Sequence, residues 1–315
     1  NMTDIIIVFN FVKEFLEGQN ADDDIMKDYD SFREYYAKLW LGLIQGDFVG
    51  KYRKEALQYI DQLYPNLRTC IHQEDYFYDS IRTKWNDGIE VAKSLIADSE
   101  IEYISFDIFD TLVTRPLYKP QHVFELMDHE FKELIHTNAS FLKIRTDGEA
   151  EARRRVALEN VGHQDITLDE IYQTIKDMYQ LDDDIIEKLK NRENQLEIQL
   201  SSPRKSIRDL FNFAKSLNKK LIIVSDMYLK KDTIAQILEK NGYKGYDHLY
   251  LSSDIRLTKH TGDLFKYVIN DLAIQSKKIL HFGDTWKNDF ENPSKLGIRT
   301  FFIPKTLEVF ENIIQ

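Results

Sequence analysis

The hydrophobic pattern along the chain changes once, at Ile101. Before that point apolar positions such as Phe32, Tyr35, Tyr36, Leu39, Trp40 and Leu43 recur at the three- and four-residue spacing that gives a helix one apolar face. Gly18 to Asp24 predicts a turn whose Asp run suits the cap of the next helix. The reading is an N-terminal all-helical domain over residues 1–100, a packing or interaction module. From Ile101 onward short β-branched and aromatic runs take over. Ile101–Phe106, Leu221–Val224, His248–Leu251, Ile279–Phe282 and Thr300–Ile303 predict buried strands. Between them Arg204–Leu217, Asp232–Asn241, Gly262–Ala273 and Asp289–Leu296 predict helices. Strands alternating with helices predict an α/β class fold, a Rossmann-like parallel sheet covered on both faces.

One long gap breaks this rhythm. Residues 118–203 separate the first strand from the second and are strongly helical. Thr167-Leu168-Asp169-Glu170 fits a capping box, and Asp182–Asp184 precedes the apolar Ile185, Ile186 and Leu189. An insertion of this length predicts a helical unit above one end of the sheet. The expected division is residues 1–100, a core of 101–117 with 204–315, and the insert 118–203.

Composition narrows the classes. Hydrophobic residues at 43% and charged residues at 30% allow a full core and exclude a mainly disordered chain of 315 residues. Forty-two Lys+Arg against fifty-three Asp+Glu give a net charge of −11, which argues against a nucleic-acid partner. Cys70 is the only cysteine, so no intrachain disulfide or thiolate zinc site forms, and a reduced, cytoplasmic setting is expected. No apolar run approaches the roughly 20 residues of a membrane span, so no membrane insertion is expected. The apolar run near the start follows Asp4 instead of a basic stretch, so no signal peptide is expected either.

The chemistry lies just past the predicted strands. Asp107, Asp110 and Thr111 follow the first, and Ser225-Asp226 the second. Lys259 follows the third, and Gly283-Asp284 with Asp289 the fourth. In open α/β sheets ligands bind outside the carboxyl ends of the strands, so these positions converge by topology. An Asp carboxylate can attack an electrophile and form a covalent intermediate. With a phosphoryl substrate, carboxylates can hold Mg²⁺, a lysine adds a point charge, and hydroxyls bond the equatorial oxygens. Phosphoacceptor receiver domains use similar residues, but with the acidic pair first and the lysine last. Neither G-x-x-x-x-G-K-[ST] nor G-x-G-x-x-G is present.

With these residues in view the chain resembles the haloacid dehalogenase (HAD) superfamily of hydrolases. Phe106-Asp107-Ile108-Phe109-Asp110-Thr111-Leu112 resembles its first motif and Ile223-Val224-Ser225-Asp226 its second. Lys259 ahead of Thr261-Gly262-Asp263-Leu264-Phe265 resembles the third, and Gly283-Asp284 through Asp289 the fourth. The resemblance spans about Ile101 to Pro304 and places the insert where the family carries a helical C1 cap. The first two motifs also resemble a bacterial subgroup encoded with, or fused to, glycan-building enzymes. The resemblance implies Asp107 as nucleophile and Mg²⁺ ligand. It implies the Phe109 carbonyl and Asp284 as further ligands, with Asp289 supporting the metal. Thr111 and Ser225 would bind phosphoryl oxygens, and Lys259 would bridge the nucleophile and the transferred group. The implied function is a Mg²⁺-dependent phosphatase for a small phosphorylated metabolite, sugar phosphates included, working through an aspartyl phosphate.

One position departs from the family pattern. Its phosphatases carry a second Asp two residues after the nucleophile as general acid and base, and here that residue is Phe109. General acid–base help is worth about 10²–10⁴-fold. Three routes stay open: an acid borrowed from the insert, Asp110 in a rotated loop, or a metal-independent dehalogenase whose halide leaves without a proton. A catalytically weak module that scaffolds glycan assembly through the N-terminal helices is a further alternative. In the insert, Arg145, Glu149 and Arg153 fall on one helical face. They form either an exposed salt-bridge ladder or, through Arg145 or Arg153, a clamp on an anionic substrate. Arg115 and Tyr228, and Tyr118 with them, are further candidates for substrate contact.

Overall fold

The computed structural model describes residues 85–115, 117 and 119–303. Most of the expected N-terminal helical domain, with its Phe32–Leu43 face and Cys70, lies outside the described residues, as does Tyr118. The chain divides into two compact units, Asn1–Gly88 with Arg115–His122 and Pro304–Gln315, and Ile89–Thr114 with Val123–Ile303. The second unit carries the sheet and the insert.

Helix α1 (Trp85–Ala97) leads into strand β1 (Tyr103–Phe106). The short β2 (Val113–Thr114) ends the first crossing of the core. The insert follows as α2 (Asp128–Ile135), α3 (Phe141–Glu159), α4 (Leu168–Tyr179) and α5 (Asp183–Leu200). Strand β3 (Ser202–Pro203) brings the chain back and pairs antiparallel with β2, Val113 opposite Pro203 and Thr114 opposite Ser202. The chain therefore leaves and re-enters the core through one two-stranded stem. The core then runs α6 (Lys205–Ser216), β4 (Lys220–Ser225), α7 (Lys231–Lys240), β5 (His248–Leu251), α8 (Asp263–Asp271), β6 (Ile279–Gly283) and β7 (Arg299–Phe302).

The main sheet has the order β5-β4-β1-β6-β7, and every pair is parallel. Parallel pairing requires crossovers on the sheet faces, which is why β4 is apolar on both sides and fully buried from Leu221 to Ser225. Helix α6 turns Ile207, Leu210, Phe211 and Ala214 inward, an i, i+3, i+4, i+7 stripe. On one face Phe106 stacks on Phe282 at 5.1 Å and tilts against Phe211 at 5.7 Å. On the other, Ile222, Val224, Tyr250, Leu264, Phe265, Val268, Ile279 and Ile298 form one cluster.

The capping box is present as the sequence predicts. Thr167 Oγ1 accepts the Glu170 amide at 3.2 Å, and Glu170 Oε2 accepts the Thr167 amide at 2.7 Å. One predicted helix differs. Asp289–Leu296 is a π-helical segment, Trp286–Glu291, followed by a single turn, Asn292–Lys295. The wide turn begins before Asp289, whose side chain lies against His281 and Gly283 of β6. Among the described residues no helix is long and apolar enough to cross a membrane.

Candidate active site

The site is built at the carboxyl ends of β1, β4 and β6 with the loop after β5. The Asp107 amide donates to the Phe282 carbonyl at 2.9 Å, which carries the strand pairing one residue past β1 and fixes where its carboxylate projects. Carboxylate oxygens of Asp107, Asp284 and Asp289 lie within 4.8 Å of one another, all three side chains buried. Lys259, 2% exposed, spans two of them, with Nζ 2.6 Å from Asp107 Oδ1 and 2.5 Å from Asp289 Oδ1. Ser225 Oγ donates to Asp107 Oδ1 at 2.8 Å, and Thr111 Oγ1 to Asp284 Oδ1 at 3.2 Å.

Burial raises the Asp107 carboxyl above the usual carboxylate range, Lys259 pulls it back, and the Asp289 charge adds to the rise. Burial also works against the charge on Lys259, but Asp107 and Asp289 hold its ammonium well above the usual lysine range. Asp289 is likewise desolvated, yet Lys259 and His281 hold its carboxyl far below the usual range. Asp226 braces the same loop from β4. Its two oxygens accept the Lys259 amide at 2.7 Å and the His260 amide at 3.3 Å. Burial pushes the Asp226 carboxyl up to about 6.

Ser225 Oγ and Lys259 Nζ both meet Asp107 at the same oxygen, Oδ1. Asp289 uses Oδ1 for Lys259 and His281 and Oδ2 for the Thr285 amide, at 2.9 Å. Its geometry is that of a carboxylate that holds the lysine. Asp107 and Asp284 lie in the same group of buried carboxylates. A buried oxygen-only donor set of this kind fits a hard divalent cation such as Mg²⁺.

A family model for haloacid dehalogenase-like hydrolases matches residues 101–291, the stretch that carries every one of these groups. The chain belongs to that family. Several solved structures resemble the chain at low identity. A HAD family enzyme from Bacteroides thetaiotaomicron, solved with magnesium and inorganic phosphate, is 14% identical, with 65% of this chain and 95% of that chain covered and a TM-score of 0.43. An L-2-haloacid dehalogenase from Xanthobacter autotrophicus is also 14% identical, with 64% and 77% covered and a TM-score of 0.43. A haloacid dehalogenase-like hydrolase from Xanthomonas campestris is 12% identical, with 65% and 82% covered and a TM-score of 0.45. Likenesses of this strength do not decide a reaction. No curated protein matches the chain significantly.

In this HAD-like hydrolase the other candidates are placed differently. Asp110 takes a left-handed conformation, φ 58°, which Asp tolerates better than most residues. Arg204 Nη1 holds the Asp110 carbonyl at 2.7 Å, and the Asp110 amide donates to the Val113 carbonyl at 2.7 Å. Its carboxylate is not part of the Asp107, Asp284 and Asp289 group. Phe109 forms an isolated bridge with Val113 in the same turn.

Arg145 is fully buried. It meets Glu193 through Nε at 2.8 Å and Nη2 at 2.9 Å, and Glu149 through Nη1 at 3.0 Å. Its guanidinium lies over the rings of Phe124 at 4.5 Å and Tyr228 at 4.8 Å. Arg153 is committed to Glu149 and Asp165. The Arg145-Glu149-Arg153 ladder therefore exists, but its first rung sits in the interior, and both guanidinium groups meet carboxylates of the chain. Arg115 falls in the first compact unit.

Beside the site lies a cavity of 440 Å³. Its walls include Glu149, Arg153 and Gln164 from the insert and Asp226, Tyr228 and His260 from the core loops. Gln164 ties the two parts together. Its amide oxygen accepts the Thr258 amide at 3.0 Å and Thr261 Oγ1 at 2.6 Å, on either side of Lys259. Neither Gln164 nor His281 stands out in the sequence. A glutamine in a loop and a histidine inside a strand carry no spacing signal.

Proposed function

We propose that this HAD-like hydrolase is a Mg²⁺-dependent phosphatase for a small phosphorylated metabolite, with sugar phosphates as the first class to test. The reading rests on one observation: Lys259 bridges Asp107 and Asp289 while Asp284 lies within the same 4.8 Å group. Asp107, the Phe109 carbonyl and Asp284 would hold the cation, and Asp289, in the same carboxylate group, would support it. Such a cation supplies Lewis-acid stabilisation of the transferring phosphoryl group. Asp107 Oδ2 attacks phosphorus in line; the phosphorus–ester oxygen bond breaks with its electron pair passing to the ester oxygen, which takes a proton from water and leaves as the alcohol, and an aspartyl phosphate forms. Water then hydrolyses the acyl phosphate and returns the Asp107 carboxylate. Lys259 and Ser225 share Oδ1, so they orient the nucleophile without blocking its attacking oxygen. Lys259 also offers positive charge to the equatorial oxygens. The helical insert serves as the cap over this chemistry, and the 440 Å³ cavity receives the leaving group.

Phe109 supports a second reading, a dehalogenase, because its side chain has no proton for an alkoxide leaving group. The two separate in one experiment. A panel of phosphomonoesters with Mg²⁺, run beside Asp107→Asn and beside chelator, should show phosphate release that both treatments abolish. Turnover surviving Asp107→Asn rejects the nucleophile. Halide release from 2-haloacids that persists in chelator rejects the phosphatase in favour of the dehalogenase.

A further inference from the structure

Beneath the carboxylates lies a buried histidine that the proposed chemistry does not use. His281 sits on β6 with no exposed surface, directly opposite Ser105 of β1 in the strand register. Partners in parallel register present their side chains on one sheet face. Here Ser105 Oγ and His281 Nδ1 are 2.7 Å apart. On its other side His281 Nε2 lies 3.1 Å from Asp289 Oδ1, the oxygen that also accepts Lys259. Phe265 packs edge-on against the ring at 4.9 Å. Gly283, two residues on, leaves the space that Asp289 fills, since a Cβ there would stand 2.3 Å from Asp289 Cβ.

The chemistry of the contacts sets the tautomer. A carboxylate oxygen only accepts, so the ring proton belongs on Nε2, and Nδ1 then accepts the Ser105 hydroxyl. Each polar atom of this buried chain is then satisfied: Ser105 to His281, His281 to Asp289, Lys259 to Asp289 and Asp107. We propose that His281, backed by Ser105, is the positioning residue that fixes Asp289 so that Lys259 is held against the nucleophile. The inference rests on the phosphatase reading for its consequence, but not for its geometry.

Two measurements test it. In protein labelled with ¹⁵N at the histidine rings, with His281→Phe to assign the signal, the His281 ring should be protonated at Nε2. A ring protonated at Nδ1 overturns the proposal. That spectrum needs no turnover, so a chain inactive on phosphomonoesters would end the phosphatase reading while the ring still decides the role of His281. On p-nitrophenyl phosphate with Mg²⁺, His281→Phe should lower kcat about 10–100-fold with KM little changed, the range for losing a group that orients a metal-site residue. His281→Gln, whose amide can donate to Asp289, should recover part of the loss. Ser105→Ala should lower kcat in the wild type and add nothing in the His281→Phe background. Additive losses, or a Gln variant no better than Phe, overturn the proposal. Ser105→Ala beside His281→Gln carries the kinetic test if His281→Phe fails to fold.

Discussion

Replacing Arg145 with Met separates a substrate clamp from a buried ion pair. The guanidinium makes two bonds to Glu193, one to Glu149, and lies over the Phe124 and Tyr228 rings. Tyr172 also donates to Glu193, at 2.7 Å. Removing the cation leaves Glu193, itself without exposed surface, as an uncompensated buried charge. Breaking such a pair costs about 3–5 kcal/mol. Burial works against the charge on Arg145, yet Glu193 holds its pKa well above the usual arginine range, which agrees in direction with a net favourable pair. At about 2–4 °C per kcal/mol for a unit of 150–250 residues, Arg145→Met should lower Tm by about 6–20 °C. The double variant Arg145→Met/Glu193→Leu should regain most of that loss, because apolar replacement of a whole buried pair is often neutral or better. Urea and thermal unfolding of the four proteins in the cycle give the coupling directly. A Met variant as stable as the wild type, with a raised KM for a phosphorylated substrate, would refute this reasoning and restore the anion clamp.

Two further outcomes follow from the contacts. Gly283→Ala should cost about 1–3 kcal/mol of stability by overpacking and should depress turnover, because its Cβ would meet Asp289 while the Gly283 carbonyl is pinned by the Ile303 amide at 2.8 Å; an unchanged urea midpoint contradicts it. Glu170 joins the insert to the core through Arg256, at 2.7 and 3.0 Å. Burial would raise its carboxyl, but Arg256 and the Thr167 groups hold it below the usual glutamate value. A carboxyl depressed in the folded state stabilises the fold above the unfolded pKa of about 4.3, and that contribution is lost as pH falls through the lower folded value. Glu170→Gln should therefore lower Tm at pH 6–7, and the difference from wild type should shrink as pH falls below the unfolded value of about 4.3; a difference that stays constant as pH falls contradicts the pairing.

Much of this molecule is legible in one dimension. The five strands of the main sheet, the α6, α7 and α8 helices, the helical insert and the Thr167 capping box follow from periodicity and local hydrogen-bonding chemistry, which act over a few residues. Asp107, Ser225, Lys259, Asp284 and Asp289 are also legible, because parallel topology sends every strand's carboxyl end to the same edge of the sheet. Side-chain pairing across long stretches of sequence is not legible. Arg145 looks like an exposed rung on its own helix, and only the packing of Glu193, Phe124 and Tyr228 around it turns it into an interior ion pair. His281 looks like one more strand residue until its register opposite Ser105 and the wide turn carrying Asp289 place it under the lysine. Local sequence determined the elements and their order, since those energies are short-ranged; the tertiary structure decided which charges meet, since burial and partner choice depend on residues far apart in the chain.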